Sequence, residues 1–245
     1  MKISVICVYN NEESFNSQLL YTLKKQKIDY ELIAIDNRNH RFPSAAAALN
    51  YGARKSKGDV LIFSHQDIYL KTGNELEKLA EVISKEPIGT IVGTQGVREK
   101  SKIYYSNLTA GKQLDEKLNY EFKNQLYEVA CVDEGLFGMK RDTYDNHNFD
   151  EKLCNNWHLY CVEQCLYARK HGAKVYVFPS QIHHYSYGTI TYLYMDNLRR
   201  ICRKYRKEFK YIWTTCYKVK TNPIYINVLV FIWVLNRKIR RRSIN

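Results

Sequence analysis

The chain has 245 residues, 45% of them hydrophobic, enough to supply the core of one α/β domain with an appendage. Its seven cysteines form no Cys-x-x-Cys pair, two lie in apolar stretches, and Cys161 and Cys165 stand one helical turn apart. This argues for buried thiols in a reducing compartment and against a disulfide framework or a zinc site. The net charge of +13 is localised: residues 199–245 carry 14 Lys plus Arg against one acid, Glu208, while the first 198 residues hold 24 basic and 24 acidic side chains.

Residues 2–8 form an apolar strand that runs into the polar turn Tyr9-Asn10-Asn11-Glu12. The chain opens on this strand rather than on a signal peptide, which predicts a domain that stays in the cytoplasm. Ser14 to Gln26 is amphipathic, with Leu19, Leu20 and Leu23 at helical spacing. A second strand runs from Glu31 and stops on Asp36-Asn37. Ser44 to Lys55 is Ala-rich and helix-favouring, and Gly58 closes it before a third strand that ends in Ser64-His65-Gln66-Asp67. The result is a βαβαβ pattern with polar groups at the end of each strand.

Ligands of open α/β sheets sit beyond the carboxyl ends of such strands. His65 and Asp67, two apart on an extended chain, face the same way, so an imidazole and a carboxylate could converge on one divalent cation while Gln66 turns aside. The competing reading is a polar strand end entering a loop, with His65 capping a backbone carbonyl.

Further along, Glu75 to Lys85 is an amphipathic helix with Leu76, Leu79, Ala80 and Ile83 on the side that packs on the sheet. Residues 98–128, rich in Lys, Tyr and Asn without a clear period, read as an excursion from the core. Residues 130–141 form a strand and a glycine-containing loop, residues 157–172 a helix, and residues 174–179 a strand that leads to His183-His184-Tyr185-Ser186-Tyr187-Gly188. In the basic tail, Arg199, Arg200, Arg203, Lys204, Arg206, Lys207 and Lys210 recur among Leu198, Ile201, Tyr205, Tyr211 and Trp213 in a helix-like run. Residues 224–235 are apolar and are followed by Arg237-Lys238-Ile239-Arg240-Arg241-Arg242. That segment falls short of the about 20 residues needed to span a bilayer. With its aromatics and basic flanks it suits a helix lying in the headgroup region of an anionic leaflet; a core helix or a dimer contact is the alternative. No nucleic-acid module accompanies the charge, so no nucleic-acid partner is expected.

Residues 2–188 resemble the nucleotide-sugar glycosyltransferases of the GT-A fold, family 2-like, and among them a bacterial branch tied to capsule and cell-surface polysaccharide synthesis. The resemblance implies an α/β fold with a mixed, mainly parallel Rossmann-like sheet flanked by helices, as a glycosyltransferase domain over residues 1–190. Residues 191–245 would form a basic amphipathic C-terminal helical tail that associates with membrane. It implies that Tyr9 and Asn10 border the nucleoside and that Asp36 bonds the base. The family's Asp-x-Asp, which holds the metal and the diphosphate, stands here as His65-Gln66-Asp67. His184 is placed in the metal shell with Asp67 and His65, and His183 is its neighbour for that role. Imidazole ligands favour Mn2+ over Mg2+. The donor is expected to be a nucleotide sugar, a UDP-sugar first.

Residues 130–141 resemble the strand and loop beside the donor sugar, where small residues admit close approach, and Phe149-Asp150-Glu151 resembles the turn before the acceptor helix. Relatives start that helix with Glu-Asp, which supplies the base; counting back from Gly172 puts Tyr160 and Cys161 there. Asp133, His158 and Glu163 are the remaining candidates. The expected protein is an inverting hexosyltransferase acting on a lipid-linked cell-surface or capsular glycan, peripheral on the inner face of the cell membrane, with an oligomer compatible with it. The alternative is a catalytically weak GT-A-like assembly partner at the membrane. A nucleotidyltransferase would need a Gly-rich loop that Tyr9-Asn10-Asn11-Glu12 does not supply.

Overall fold

The computed structural model describes residues 1–100, 103–186 and 188–242; the side chains of residues 238–242, including Lys238 and Arg240–Arg242 of the last basic cluster, lie outside the described residues, as does Tyr187. A seven-stranded sheet runs in the order Glu31–Asp36, Ile3–Tyr9, Val60–His65, Leu136–Lys140, Ile91–Gly93, Val175–Val177, Tyr127–Glu128. The first three strands are parallel and in step, with Tyr9 beside Asp36 and Val8 beside His65, so their carboxyl ends form one rim. Leu136–Lys140 is inserted antiparallel between Val60–His65 and Ile91–Gly93, with Leu136 beside Ser64. The loop before it, residues 133–135, therefore enters the sheet at that same rim.

Alternation along a strand sends neighbouring side chains to opposite faces. In Ile3–Tyr9, Val5 and Cys7 join a core with Leu19, Leu23, Leu76, Leu79 and Ile83, while Ile6 joins one with Leu49, Ala53 and Phe63. The sheet is thus covered by the helical residues 12–23 and the Glu75–Lys85 helix on one face and by the Ala45–Lys55 helix on the other. The first helical stretch begins earlier than its hydrophobic spacing predicts, because the Asn11 side chain accepts from Ser14 N, and its middle, Phe15–Leu20, is wound as a π-helix. Ala45–Lys55 starts on a Ser44 cap. It lies so close to the sheet at Gly52 that a Cβ would come within 2.7 Å of both Ile6 and Ile35.

Two smaller pieces complete the rim. Ile182–His184 pairs antiparallel with Ile68–Leu70 and parallel with Thr109–Ala110, which sets His184 opposite Ile68, next to Asp67. Gln95–Val97 joins Tyr104–Ser106 and Cys131–Val132 in a three-stranded sheet, which anchors one strand of the segment that reads as an aperiodic excursion.

Met195, Leu198, Ile201, Cys202, Ile212, Trp213, Val219, Ile226 and Val230 share one core with Phe63 and Phe137 of the central sheet. The helix-like run of the tail is also interrupted: Tyr192–Lys204 is helical, Tyr211–Trp213 then pairs antiparallel with Lys218–Lys220, and Pro223–Arg242 is a second helix. At the end of the first of these helices Tyr205 is buried and donates its hydroxyl to Glu163 at 2.6 Å. On Pro223–Arg242, Ile226 and Val230 are buried, whereas Ile224 and Phe231 are 75% and 63% exposed and Val228, Ile232 and Leu235 are exposed beside them. The helix therefore packs one side into the core and leaves the other exposed. Among the described residues no helix is long and apolar enough to cross a membrane. Six cysteines are buried and Cys216 is exposed.

Candidate metal and donor site

Three side chains converge at the rim. One nitrogen each of His65 and His184 and a carboxylate oxygen of Asp67 lie within 4.8 Å of one another. His184 Nε2 is 3.2 Å from Asp67 Oδ1 and 3.2 Å from Ser186 Oγ, and the His65 and His184 rings are 5.6 Å apart. Ligand atoms sharing one ion at bond lengths of about 2.1 Å stand roughly 3–4 Å apart, so this set fits a divalent cation with small adjustments.

The electrostatics suit a cation as well. Burial by itself would raise the Asp67 carboxyl, but the bond to His184 and the charges of His184 and His65 outweigh it and hold the group below the usual carboxylate range. Burial pulls His184 down while Asp67 raises it, with a net rise. His65 is pushed below its ordinary value, by burial first and then by His184.

His183 is not part of the set. It is fully buried on the opposite face of its strand, with Nδ1 at 2.8 Å from Thr109 Oγ1 and Nε2 at 2.9 Å from the Gly111 carbonyl. Both ring nitrogens are occupied, so its sequence-based place beside His184 is corrected to a structural one.

Gln66 turns aside as the two-residue alternation predicts, but it is not idle. Its Oε1 accepts from the backbone of Asn10 at 2.9 Å and Asn11 at 3.0 Å, and its Nε2 donates to Asn10 Oδ1 at 2.9 Å. The turn after the first strand is thereby fastened to the end of the third. Tyr9 stacks on Phe15 at 4.6 Å. Asp36 is 38% exposed and takes Arg38 through its backbone and guanidinium, and the same guanidinium also reaches Glu12. The side chain of Arg38 is the missed member of this crevice; its position two residues past the strand end was the available signal.

Asp133 lies at the same rim, partly buried, with Oδ1 accepting from Gly135 N at 3.0 Å and Oδ2 from Thr215 Oγ1 at 2.9 Å. Glu134 beside it is pushed well above the ordinary carboxylate value, by burial first and then by Asp133, and its Oε1 is buried without a hydrogen-bond partner among the described residues. At the start of the Tyr160–Lys170 helix, the entry residue Leu159 sits in the left-handed region at φ 66°. Asn197 pins that corner by donating to the His158 carbonyl at 2.7 Å. Tyr160, at the helix start, brings its hydroxyl to 3.3 Å from His65 Nε2, a contact that counting along the helix did not suggest. His158 is partly buried, with Nε2 3.4 Å from Thr191 Oγ1, and burial lowers its pKa.

Glu163 is 0% exposed, and its oxygens accept from His147 at 3.0 Å, Lys204 at 2.7 Å and Tyr205 at 2.6 Å. These bonds tie the helix to the C-terminal segment.

A sheet with its carboxyl rim lined by these groups defines the GT-A class of fold. Residues 4–211 match the model of a family described as a glycosyltransferase-like family, and the chain belongs to that family of transferases. No curated protein sequence matches. Among solved structures, GalNAc-T7 with UDP, GalNAc and Mn2+ is similar at TM-score 0.59 and 16% identity, over 82% of this chain and 47% of that one. The mannosyltransferase PcManGT from Pyrobaculum calidifontis, with GDP-Man and Mn2+, is similar at TM-score 0.57 and 12% identity, over 85% and 65%. TarS 1-349 of S. aureus, with UDP-GlcNAc, gives 0.55 and 15%, over 82% and 66%. The chain thus spans from about half to just under two thirds of these proteins' lengths.

Proposed function

We propose that this chain is an inverting glycosyltransferase that moves a sugar from a nucleotide diphosphate donor, a UDP-sugar first, to a hydroxyl of a lipid-linked cell-surface or capsular glycan in a bacterium. The observation that carries this reading is the convergence of His65, Asp67 and His184 on the rim that Tyr9 and Asp36 share. Asp67, His184 and His65 would hold the divalent ion, and two imidazoles beside one carboxylate favour manganese over magnesium. Such an ion, when bound, offsets the charge that gathers on the departing diphosphate. Tyr9, Asn10 and Asp36 border the nucleoside, and Asp133 contacts the sugar. Asp133 and His158 are the groups left to take the acceptor proton, His158 because a buried imidazole with a lowered pKa stays neutral near pH 7. A second reading, a catalytically weak assembly partner, is favoured by one observation: Tyr160 and Cys161 open the acceptor helix and Glu163 is already paired.

A thermal-shift series with UDP-GlcNAc, UDP-GalNAc and GDP-mannose, each with and without Mn2+, tests the donor assignment. A ligand at a hundred times its dissociation constant stabilises the fold by about 2.7 kcal/mol, so at least one UDP-sugar should raise the melting temperature, and more so with Mn2+. No shift with any of them would overturn it.

The Pro223–Arg242 helix supports a peripheral seat on the inner face of the membrane. It turns Ile224, Val228, Phe231, Ile232 and Leu235 outward from the part of the chain that holds the whole charge excess. Each basic residue near an anionic surface contributes about 1 kcal/mol. The protein should therefore sediment with phosphatidylglycerol vesicles at low salt and less so at high salt. Ile224→Asp with Phe231→Asp should abolish sedimentation without lowering the melting temperature. Indifference of the intact protein to vesicles at low salt would remove the membrane from the proposal.

A further inference from the structure

The hairpin formed by Tyr211–Trp213 and Lys218–Lys220 reaches the rim through its turn. The residues that match the family end at 211, so the turn lies beyond them. It is firmly built. Thr214 is buried, its hydroxyl is 2.9 Å from that of Tyr194, and its Oγ1 accepts from the backbone of Cys216 at 3.1 Å and Tyr217 at 2.8 Å. Thr214 N also donates to the Tyr217 carbonyl at 2.7 Å. Behind the turn, Ile212, Trp213 and Val219 belong to the main core. Thr215 is therefore presented from a rigid support, and its hydroxyl donates to Asp133 Oδ2 at 2.9 Å.

Among the described residues Asp133 has few other restraints. Its second oxygen accepts from Gly135 N, two residues on, a bond within its own loop. Among the described residues Thr215 is the long-range hydrogen-bond partner of this carboxylate, and it restrains the side-chain rotamer. Sub-ångström placement of such a group decides whether a hydroxyl of a bound sugar meets it.

We infer that Thr215, supplied by the hairpin beyond the family-matched residues, is a positioning residue that orients Asp133 toward the sugar of the donor and so helps set which sugar is accepted. This rests on the reading of Asp133 as the sugar-contacting acid. The hairpin is then a specificity element appended to the common fold, and its turn sequence, Thr214-Thr215-Cys216-Tyr217, is where the sugar preference would be altered.

The test is calorimetric and compares UDP with UDP-GlcNAc and UDP-GalNAc in the presence of Mn2+. The quantity read is the gain in affinity that the sugar adds over the bare nucleotide. Thr215→Val should reduce that gain about fivefold to tenfold for the preferred sugar, while UDP affinity and melting temperature stay at the wild-type values. Thr215→Ser, which keeps the hydroxyl, should restore it. In an Asp133→Ala background, Thr215→Val should have no further effect. A loss of UDP affinity equal to the loss for the sugar nucleotide, or a full effect of Thr215→Val on top of Asp133→Ala, would overturn the inference. If Asp133→Ala itself leaves the sugar's contribution intact, it is the reading of Asp133 that fails; if Asp133→Ala removes it and Thr215→Val does not, the failure belongs to Thr215.

Discussion

Asp67→Ala is expected to abolish manganese-stimulated donor binding while the protein remains folded. Asp67 is the one carboxylate of the converging set, and without it a cation would meet two imidazoles and no compensating charge. Losing a residue that merely orients a ligand costs ten- to a hundredfold in metal affinity; losing the charged ligand itself should cost about a hundredfold or more. The backbone around it does not depend on the carboxylate, since Tyr185 N donates to the Asp67 carbonyl and the neighbouring strands pair through their own backbones. The measurement is the dissociation constant of the best UDP-sugar with and without Mn2+, in the wild type and the variant. A variant that keeps its full manganese enhancement would remove Asp67 from the site.

Glu163→Ala is expected to act on stability and to leave the turnover of the folded fraction near the wild-type value. The substitution leaves Lys204, His147 and Tyr205 without their shared acceptor inside the protein. Removing one partner of a buried ion pair costs about 3–5 kcal/mol, and the partial exposure of Lys204 places this case at about 3. For a chain of this size that corresponds to a fall in melting temperature of roughly 6–12 °C.

The pH dependence has a definite sign. Burial works to raise the Glu163 carboxyl, but its three hydrogen bonds win, and the folded value is lowered from 4.5. Its contribution is therefore fully present above the ordinary carboxylate range and is lost as pH falls through the lower folded value. Wild type and variant should differ most at neutral pH and converge in acid. A hundredfold fall in turnover with an unchanged melting temperature would instead restore Glu163 as the base.

Much of the rim was legible in the sequence because its pieces obey local rules. Apolar runs that stop on Tyr9, Asp36 and His65 mark strands whose parallel register follows from right-handed crossovers, and the two-residue alternation already sent His65 and Asp67 one way and Gln66 the other. What stayed hidden depends on partners distant in sequence. For His183-His184, alternation says the two face opposite sides but not which side is the site; pairing with Ile68–Leu70 decides it. Glu163 and Asp133 are both acids near glycine-bounded segments. Only the arrival of Lys204 and Tyr205 from the next helix, and of Thr215 from the hairpin, separates an occupied carboxylate from one at the rim. The strands Ile91–Gly93 and Tyr127–Glu128 are too short to carry a period of their own, and sheet neighbours define them. In the tail, net charge and apolarity were visible, but the burial of Ile226 and Val230 against the exposure of Ile224 and Phe231 is set by what the helix packs on.

Gln66 makes the Tyr9–Asn11 turn and the end of the third strand a single mechanical part, because one amide grips the backbone of Asn10 and Asn11 from the residue between His65 and Asp67. On the proposed reading of the rim, a change that refits the Tyr9–Asn11 turn to a different base would pull on that amide and tilt His65 and Asp67. Base preference and cation affinity would then be inherited together, and residues 9–11 and 65–67 would have to be redesigned as one cassette.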